Sequence, residues 1–226
     1  MPKPAPPPAL IRPLEQRRCL MVGALCAFGF LLVTLLMLCG VATGFDEWGL
    51  RIWRGGSNAP PRMLEALRDL TALGGVLLRN LFALVGVLAL ALLHLRRQAV
   101  WLALTIGLGW IGNGAAKLLF ARTRPDVVPH WMEAGGHSFP SGHSFGAALV
   151  YWSLALAFLS LSARPAIRSA LLVAALVVSI AVALSRLWLG VHFPTDVLAG
   201  WLGGTGWAFL AAAWGQRVFQ PARHIS

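Results

Sequence analysis

The sequence is short of charge and shorter still of acid. Charged residues make up 12% of its 226 positions, with 8 Asp or Glu against 19 Lys or Arg. A soluble domain carries about 25% charged residues, so this scarcity excludes an ordinary soluble domain. Cysteine is also rare. Cys19, Cys26 and Cys39 all lie in or beside the first apolar run. Their spacing offers no zinc site and no disulfide framework, and they read as small packing residues. What is present in excess is apolar: 58% of the chain, with a mean hydropathy of +0.71. That composition points to an integral membrane protein. The net charge of +11 would suggest nucleic-acid binding in a soluble protein. Here the bases flank apolar runs and no basic patch is interleaved with aromatics. Membrane topology and anionic lipid explain them, and no nucleic-acid partner is expected.

Six apolar segments, at about 20–42, 73–94, 98–118, 143–162, 167–187 and 195–214, each approach the ~20 residues that a helix needs to cross a bilayer. The expectation is an all-α polytopic membrane protein, a bundle of six transmembrane helices. Residues 1–18 form a Pro-rich basic tail, residues 19–216 the membrane domain and residues 217–226 a second tail. The first segment is too long for a cleaved signal peptide. Its LMLCG at 36–40 puts bulky Leu38 where a lipoprotein cleavage site wants a small residue, so it reads as a retained anchor. The third and sixth segments are Gly-rich, at Gly107, Gly109, Gly112 and Gly114 and at Gly200, Gly203, Gly204 and Gly206, which suits close helix approach. The 43–72 connection holds an amphipathic stretch near 61–70. It is expected at the interface, with Trp48 and Trp53 as anchors and Asp46 and Glu47 as turn residues.

Arg96–Arg97, Arg164 with Arg168, and Arg217 with Arg223 alternate with less basic connections. The positive-inside rule puts them, and both termini, in the cytoplasm of a cell (inner) membrane protein. Raw counts of Lys and Arg divide almost evenly between the two sides. Several bases assigned outside belong to three polar clusters, KLLFARTRP at 117–125, PSGHS at 140–144 and SRLWLGVHFPTD at 185–196. With six spans, all three clusters face the extracytoplasmic side.

Ionisable residues at membrane boundaries are costly and mark function by default. Lys117 and Arg124 are seven residues apart, two helical turns, and Pro125 stops the helix. Arg186 comes from another helix end. Taken singly, each reads as a snorkelling side chain. Three converging cations can hold a phosphoryl group and stabilise charge on its oxygens. At Ser141, Gly142 and His143 a loop enters a helix N-terminus, where backbone amides favour anions, although an ordinary Ser cap fits too. His143 is the expected proton donor to a leaving oxygen. His192 and Asp196 are four apart with Pro194 between them. Asp196 then sits in the first turn of the sixth helix, where it can orient His192, the expected nucleophile, and favour the helix dipole. Arg122 is a further substrate-contact candidate. His137 could touch a headgroup, and Trp131 and Glu133 could shape substrate choice. His94 and His224 lie on the cytoplasmic side. The chemistry implied is a phosphate ester handled without metal or cofactor.

Lys-six residues-Arg-Pro, PSGH, and Ser-Arg-five residues-His-three residues-Asp occur here in order. This triple pattern resembles the type-2 phosphatidic acid phosphatase superfamily of membrane lipid phosphatases. The resemblance implies six spans, phosphate binding by Lys117, Arg124, Ser141, Gly142 and Arg186, His143 as general acid, and His192 as nucleophile with Asp196 as its partner. It implies a lipid phosphate as partner, with undecaprenyl diphosphate the foremost expectation. Phosphatidylglycerophosphate, phosphatidic acid and lipid A phosphates stand beside it. The same family includes vanadium haloperoxidases, which six spans argue against. Phosphotransfer to a second lipid, a transporter using the same pocket and a non-catalytic scaffold remain as rival readings. Oligomeric state is not legible from one sequence.

Overall fold

The computed structural model describes residues 14–54 and 60–215. Most of the Pro-rich tail, the second tail with Arg217, Arg223 and His224, and residues 55–59 lie outside these. Among the described residues the chain is all-helical: α1 Gln16–Leu38, α2 Thr43–Arg54, α3 Pro61–Ala72, α4 Val76–Leu92, α5 Arg96–Phe120, α6 Gly142–Phe158 with a 3-10 turn to Leu161, α7 Pro165–Trp188 and α8 Pro194–Trp214. Helix α1 starts within the stretch expected to be tail, so Gln16, Arg17 and Arg18 are helical.

Five of these helices are long and apolar enough to cross a membrane, with α6 counted through Leu161. The expected second span is instead a bent pair. Helix α4 has 17 residues and would rise only about 26 Å. It joins α3 at an angle of 41°, and together they pass as a sixth span. The break falls at Gly74–Gly75, where Gly74 N bonds Thr71 O and Gly75 N bonds Ala72 O. These tight turns interrupt the α ladder. The amphipathic stretch around 61–70 therefore feeds into a span.

Helix α6 lies at the centre, buried along most of its length between α7 and α8, while α1 leans on α8. Glycine makes the α6–α8 seam. A Cβ on Gly204 would collide with Phe145 O, and one on Gly200 would stand 2.6 Å from Ser141 O. The α5 glycines behave differently from the expected pattern. Gly107 and Gly114 have nothing within 4 Å of a Cβ position, and only Gly109 meets a close neighbour, Leu149. Helix α5 thus has open faces instead of a glycine seam, and Gly114 opens onto a cavity.

The helix ends sort into two groups. Gln16 Nε2 bonds Ala213 O at 3.1 Å and Trp101 Nε1 bonds Ala211 O at 3.0 Å. The starts of α1 and α5 therefore meet the end of α8. At the opposite end, the 121–141 connection is stitched over α7 and α8. Trp131 N donates to Leu189 O, Ser138 N to Arg122 O and Ser141 N to Asp196 O, at 2.9–3.0 Å. Gly190, at φ +75°, closes α7 beneath this loop. Helix α2 locks on from the side. Arg54 donates to Pro129 O and lies 3.1 Å from the Trp131 ring centroid.

Candidate active site

A cavity of about 490 Å³ opens where the ends of α5, α6 and α7 meet the turn into α8. Lys117, Arg124, Gly142, His143, Arg186 and His192 all line it. Residues from three separated motifs thus share one volume, as their helix-end positions led us to expect. Among the described residues no three His, Cys, Asp or Glu side chains group as a metal site.

Lys117 is in the last turn of α5, and its Nζ donates to His137 O at 2.6 Å. His137 meets the site through its carbonyl. Arg124 follows the left-handed Ala121 that ends α5. Its guanidinium donates to Gly135 O, Gly136 O and Val191 O, and its Nη1 lies 3.1 Å from His192 Nε2. Arg186, in the last turn of α7, is 2% exposed. Its Nη1 donates to Thr71 Oγ1 at 2.9 Å and lies 3.0 Å from Met132 Sδ, while its Nε has no hydrogen-bond partner. A buried guanidinium without a carboxylate is costly and is poised for an anion.

Ser141 caps α6, and its Oγ bonds Ser144. It is fully buried and stands behind the cavity wall, so only the backbone corner at Gly142 faces the cavity. A Cβ on Gly142 would lie 3.4 Å from Lys117 Cε, so glycine keeps the corner open.

His192 sits on the cavity floor, 1% exposed. Its Nδ1 is 3.4 Å from Asp196 Oδ2, which also accepts Phe193 N at 3.0 Å. Asp196 therefore both caps α8 and faces the histidine, as its place in the first turn suggested. With Nδ1–H toward the carboxylate, Nε2 turns its lone pair to the cavity and to Arg124. Burial, then the charges of Arg186, Arg124 and Lys117, push the His192 imidazole well below its ordinary pKa, against a Ser138 backbone hydrogen bond. Burial also lowers the Arg124 guanidinium, with Asp196 opposing.

The expectation that Arg122 touches substrate is not met. Its Nη1 donates to Asp196 Oδ1 at 2.7 Å and Thr195 Oγ1 at 2.8 Å, and its Nη2 to Asp46 Oδ2 at 2.7 Å. Asp46 is a second correction. It belongs to α2, is fully buried, and accepts Thr195 N at 2.9 Å and Thr195 Oγ1 at 2.6 Å. A chain Asp46–Arg122–Asp196–His192 thus runs behind the floor. Asp46 lies 76 positions from Arg122, and no local spacing signals such a contact. Arg79 was also missed as a site residue. It donates to Gly142 O at 3.0 Å and lines the cavity. A lone arginine in the run GGVLLRNLFALVG was the available signal. Trp131 packs beneath Arg54, Glu133 is on the cavity rim, and His94 turns α4 into α5 at the far end.

The chain is 31% identical over 166 residues to phosphatidylglycerophosphatase B of Bacillus subtilis, covering 70% of this chain and 78% of that protein. It is 29% identical over 134 residues to an undecaprenyl-diphosphatase of Sulfolobus acidocaldarius, covering 56% and 61%. The crystal structure of the transmembrane PAP2-type phosphatidylglycerolphosphate phosphatase from Bacillus subtilis matches with a TM-score of 0.77 and 25% identity over 90% of this chain and 98% of that one. LpxE from Aquifex aeolicus shares the fold, with a TM-score of 0.57 and 23% identity over 74% and 94%. The PAP2 superfamily profile matches residues 98–220, which include all three clusters, and the chain belongs to that superfamily of membrane phosphatases.

Proposed function

We propose that the chain hydrolyses the terminal phosphate of a membrane lipid through a phosphohistidine on His192. The observation that carries this reading is the cavity itself. Three cations surround a histidine whose Nδ1 faces a buried carboxylate and whose Nε2 faces the space between them. Lys117, Arg124 and Arg186 hold the phosphate oxygens, with the Gly142 corner beside them. A cationic site stabilises charge that moves onto those oxygens during transfer. His192 Nε2 attacks phosphorus as the bond from phosphorus to the lipid oxygen breaks. That oxygen keeps the electron pair and takes a proton from His143. Water then attacks the phosphohistidine, gives its proton to His143, and releases inorganic phosphate with His192 restored. Asp196 orients the imidazole throughout.

Phosphatidylglycerophosphate and undecaprenyl diphosphate are the headgroups named by the relatives, and both present a terminal phosphate. The site faces outward on this reading. Arg17, Arg18, Arg96, Arg97, Arg164 and Arg168 sit at the opposite end of the bundle, which suits a cytoplasmic location.

The test is phosphate release by purified protein. His192→Ala abolishes it, and wild-type protein quenched during turnover carries an acid-labile, alkali-stable phosphate label. Release persists in a strong chelator and is inhibited by vanadate. Turnover lost to chelator and restored by magnesium, or near-normal release by His192→Ala, overturns the mechanism.

A further inference from the structure

We propose that Arg79 and Trp110 form a second anion subsite, one that takes a phosphate retained on the lipid after the terminal one is removed. The inference rests on the lipid phosphatase reading and extends it to substrate class. Arg79 comes from α4 and Trp110 from α5, and both line the cavity. Arg79 Cζ lies 5.7 Å from the Trp110 ring centroid. Two donors there, Arg79 Nε and Trp110 Nε1, are buried with no acceptor. Buried donors are nearly always paired, and two orphans on one wall of a cationic cavity suit a phosphate oxygen.

The fold makes room for this arginine. A Cβ on Gly146 would collide with Arg79 Nη1 and stand 3.0 Å from its Cδ and Cζ. Arg79 lies across α6 at Gly146, and a side chain there would displace its guanidinium. Its Nη1 bond to Gly142 O ties the second subsite to the corner of the first.

Depth assigns the ligand. Trp110, Asn113 and Lys117 are spaced three and four apart on α5, so they share one face. Asn113 is about 6 Å, and Trp110 about 10 Å, further from the phosphate-binding end than Lys117. The lipid chain must run toward the membrane interior from the phosphorus under attack. Arg79 reaches from Trp110 to Gly142 O and lies against Gly146, one turn of α6 further in than Gly142, and so meets the lipid side of the breaking bond. A prenyl diphosphate carries its second phosphate there, and phosphatidylglycerophosphate its phosphodiester. Phosphatidic acid has no second phosphate to offer.

The experiment compares kcat/KM on these three lipids in mixed micelles for wild-type protein, Arg79→Gln and Arg79→Lys. We expect Arg79→Gln to lose about tenfold more kcat/KM on at least one two-phosphate lipid than on phosphatidic acid, where only its hold on the Gly142 carbonyl is lost. Arg79→Lys recovers part of the loss. Whichever two-phosphate lipid suffers more identifies the source of the anion. An equal loss on all three lipids overturns the proposal, because Arg79 then only holds the Gly142 carbonyl. No loss on any lipid overturns it too. Should Arg79→Gln fail to fold, inhibition of the wild-type protein decides. Methylenediphosphonate must bind at least about tenfold tighter than orthophosphate, and equal inhibition overturns the proposal. If wild-type protein releases phosphate from none of the lipids, the phosphatase reading itself fails.

Discussion

His192 is a histidine made unfriendly to protons. Burial and three cations favour its neutral form, which is the form that can attack phosphorus. A free imidazole titrates near pH 6.5. We therefore expect the acid limb of kcat/KM that belongs to His192 to lie well below that value. Replacing Arg124 by Gln removes one repelling charge, so the limb moves toward higher pH. A pH–rate profile with a limb fixed near 6.5 in both proteins would refute this. The same depression acts on stability. Below about pH 6.5 the unfolded chain binds a proton that the folded chain refuses, so acid weakens the fold through this residue. Arg122 illustrates the other use of charge. It stands between two buried carboxylates, and Arg122→Ala leaves both without their cation. Breaking such a pair costs about 3–5 kcal/mol, readable as a lowered melting temperature in detergent. As a positioning residue it would lower kcat more than it raises KM, because the floor that aims His192 loosens while the three phosphate cations stay. An unchanged kcat in folded Arg122→Ala would remove it from that role.

At the scale of helices, α6 and α8 frame the site, because one begins at Gly142 and the other carries Asp196. Their seam depends on Gly200 and Gly204. Gly204→Leu must push α8 off the Phe145 carbonyl, and overpacking of this kind costs about 1–3 kcal/mol. Asp196 moves with α8, so we expect phosphate release to fall together with thermal stability. Gly107→Ala in α5 is the control. It meets open space and should leave both unchanged. Element scale is also where pattern reading reached its limit. Both helices look alike as strings of glycine, yet α8 packs on Gly200, Gly203, Gly204 and Gly206 while α5 packs closely only at Gly109. Helix composition shows that close approach is permitted, and the neighbour decides whether it happens. The second span shows the same limit. Residues 73–94 are apolar but for Arg79, Asn80 and His94, yet Gly74 and Gly75 favour a break over a straight helix, and α3 supplies the missing length.

For the whole molecule, the two ends of the bundle differ in kind. The far end gathers the starts of α1 and α5 and the end of α8, and the near end gathers the cavity and the loop over it. The proposed orientation is open to labelling. In a variant with Cys19, Cys26 and Cys39 replaced, Glu133→Cys on the cavity rim should react with a membrane-impermeant maleimide in intact cells. Labelling only after the cells are broken would reverse the orientation.

Apolar runs and motif spacing already disclose a helical membrane protein, where most of its spans fall, and three polar motifs placed at helix ends. Those properties follow from apolar run length and from motifs whose residues are near neighbours along the chain. Tertiary structure decided which of them face the cavity and which stand behind it. Ser141 turned to its own helix, Arg122 turned to Asp46 and Asp196, and Arg79 joined the site from a helix with no motif. The Arg122 and Arg79 contacts join residues far apart in sequence. Their geometry depends on how helices pack, a cooperative property that no local spacing carries.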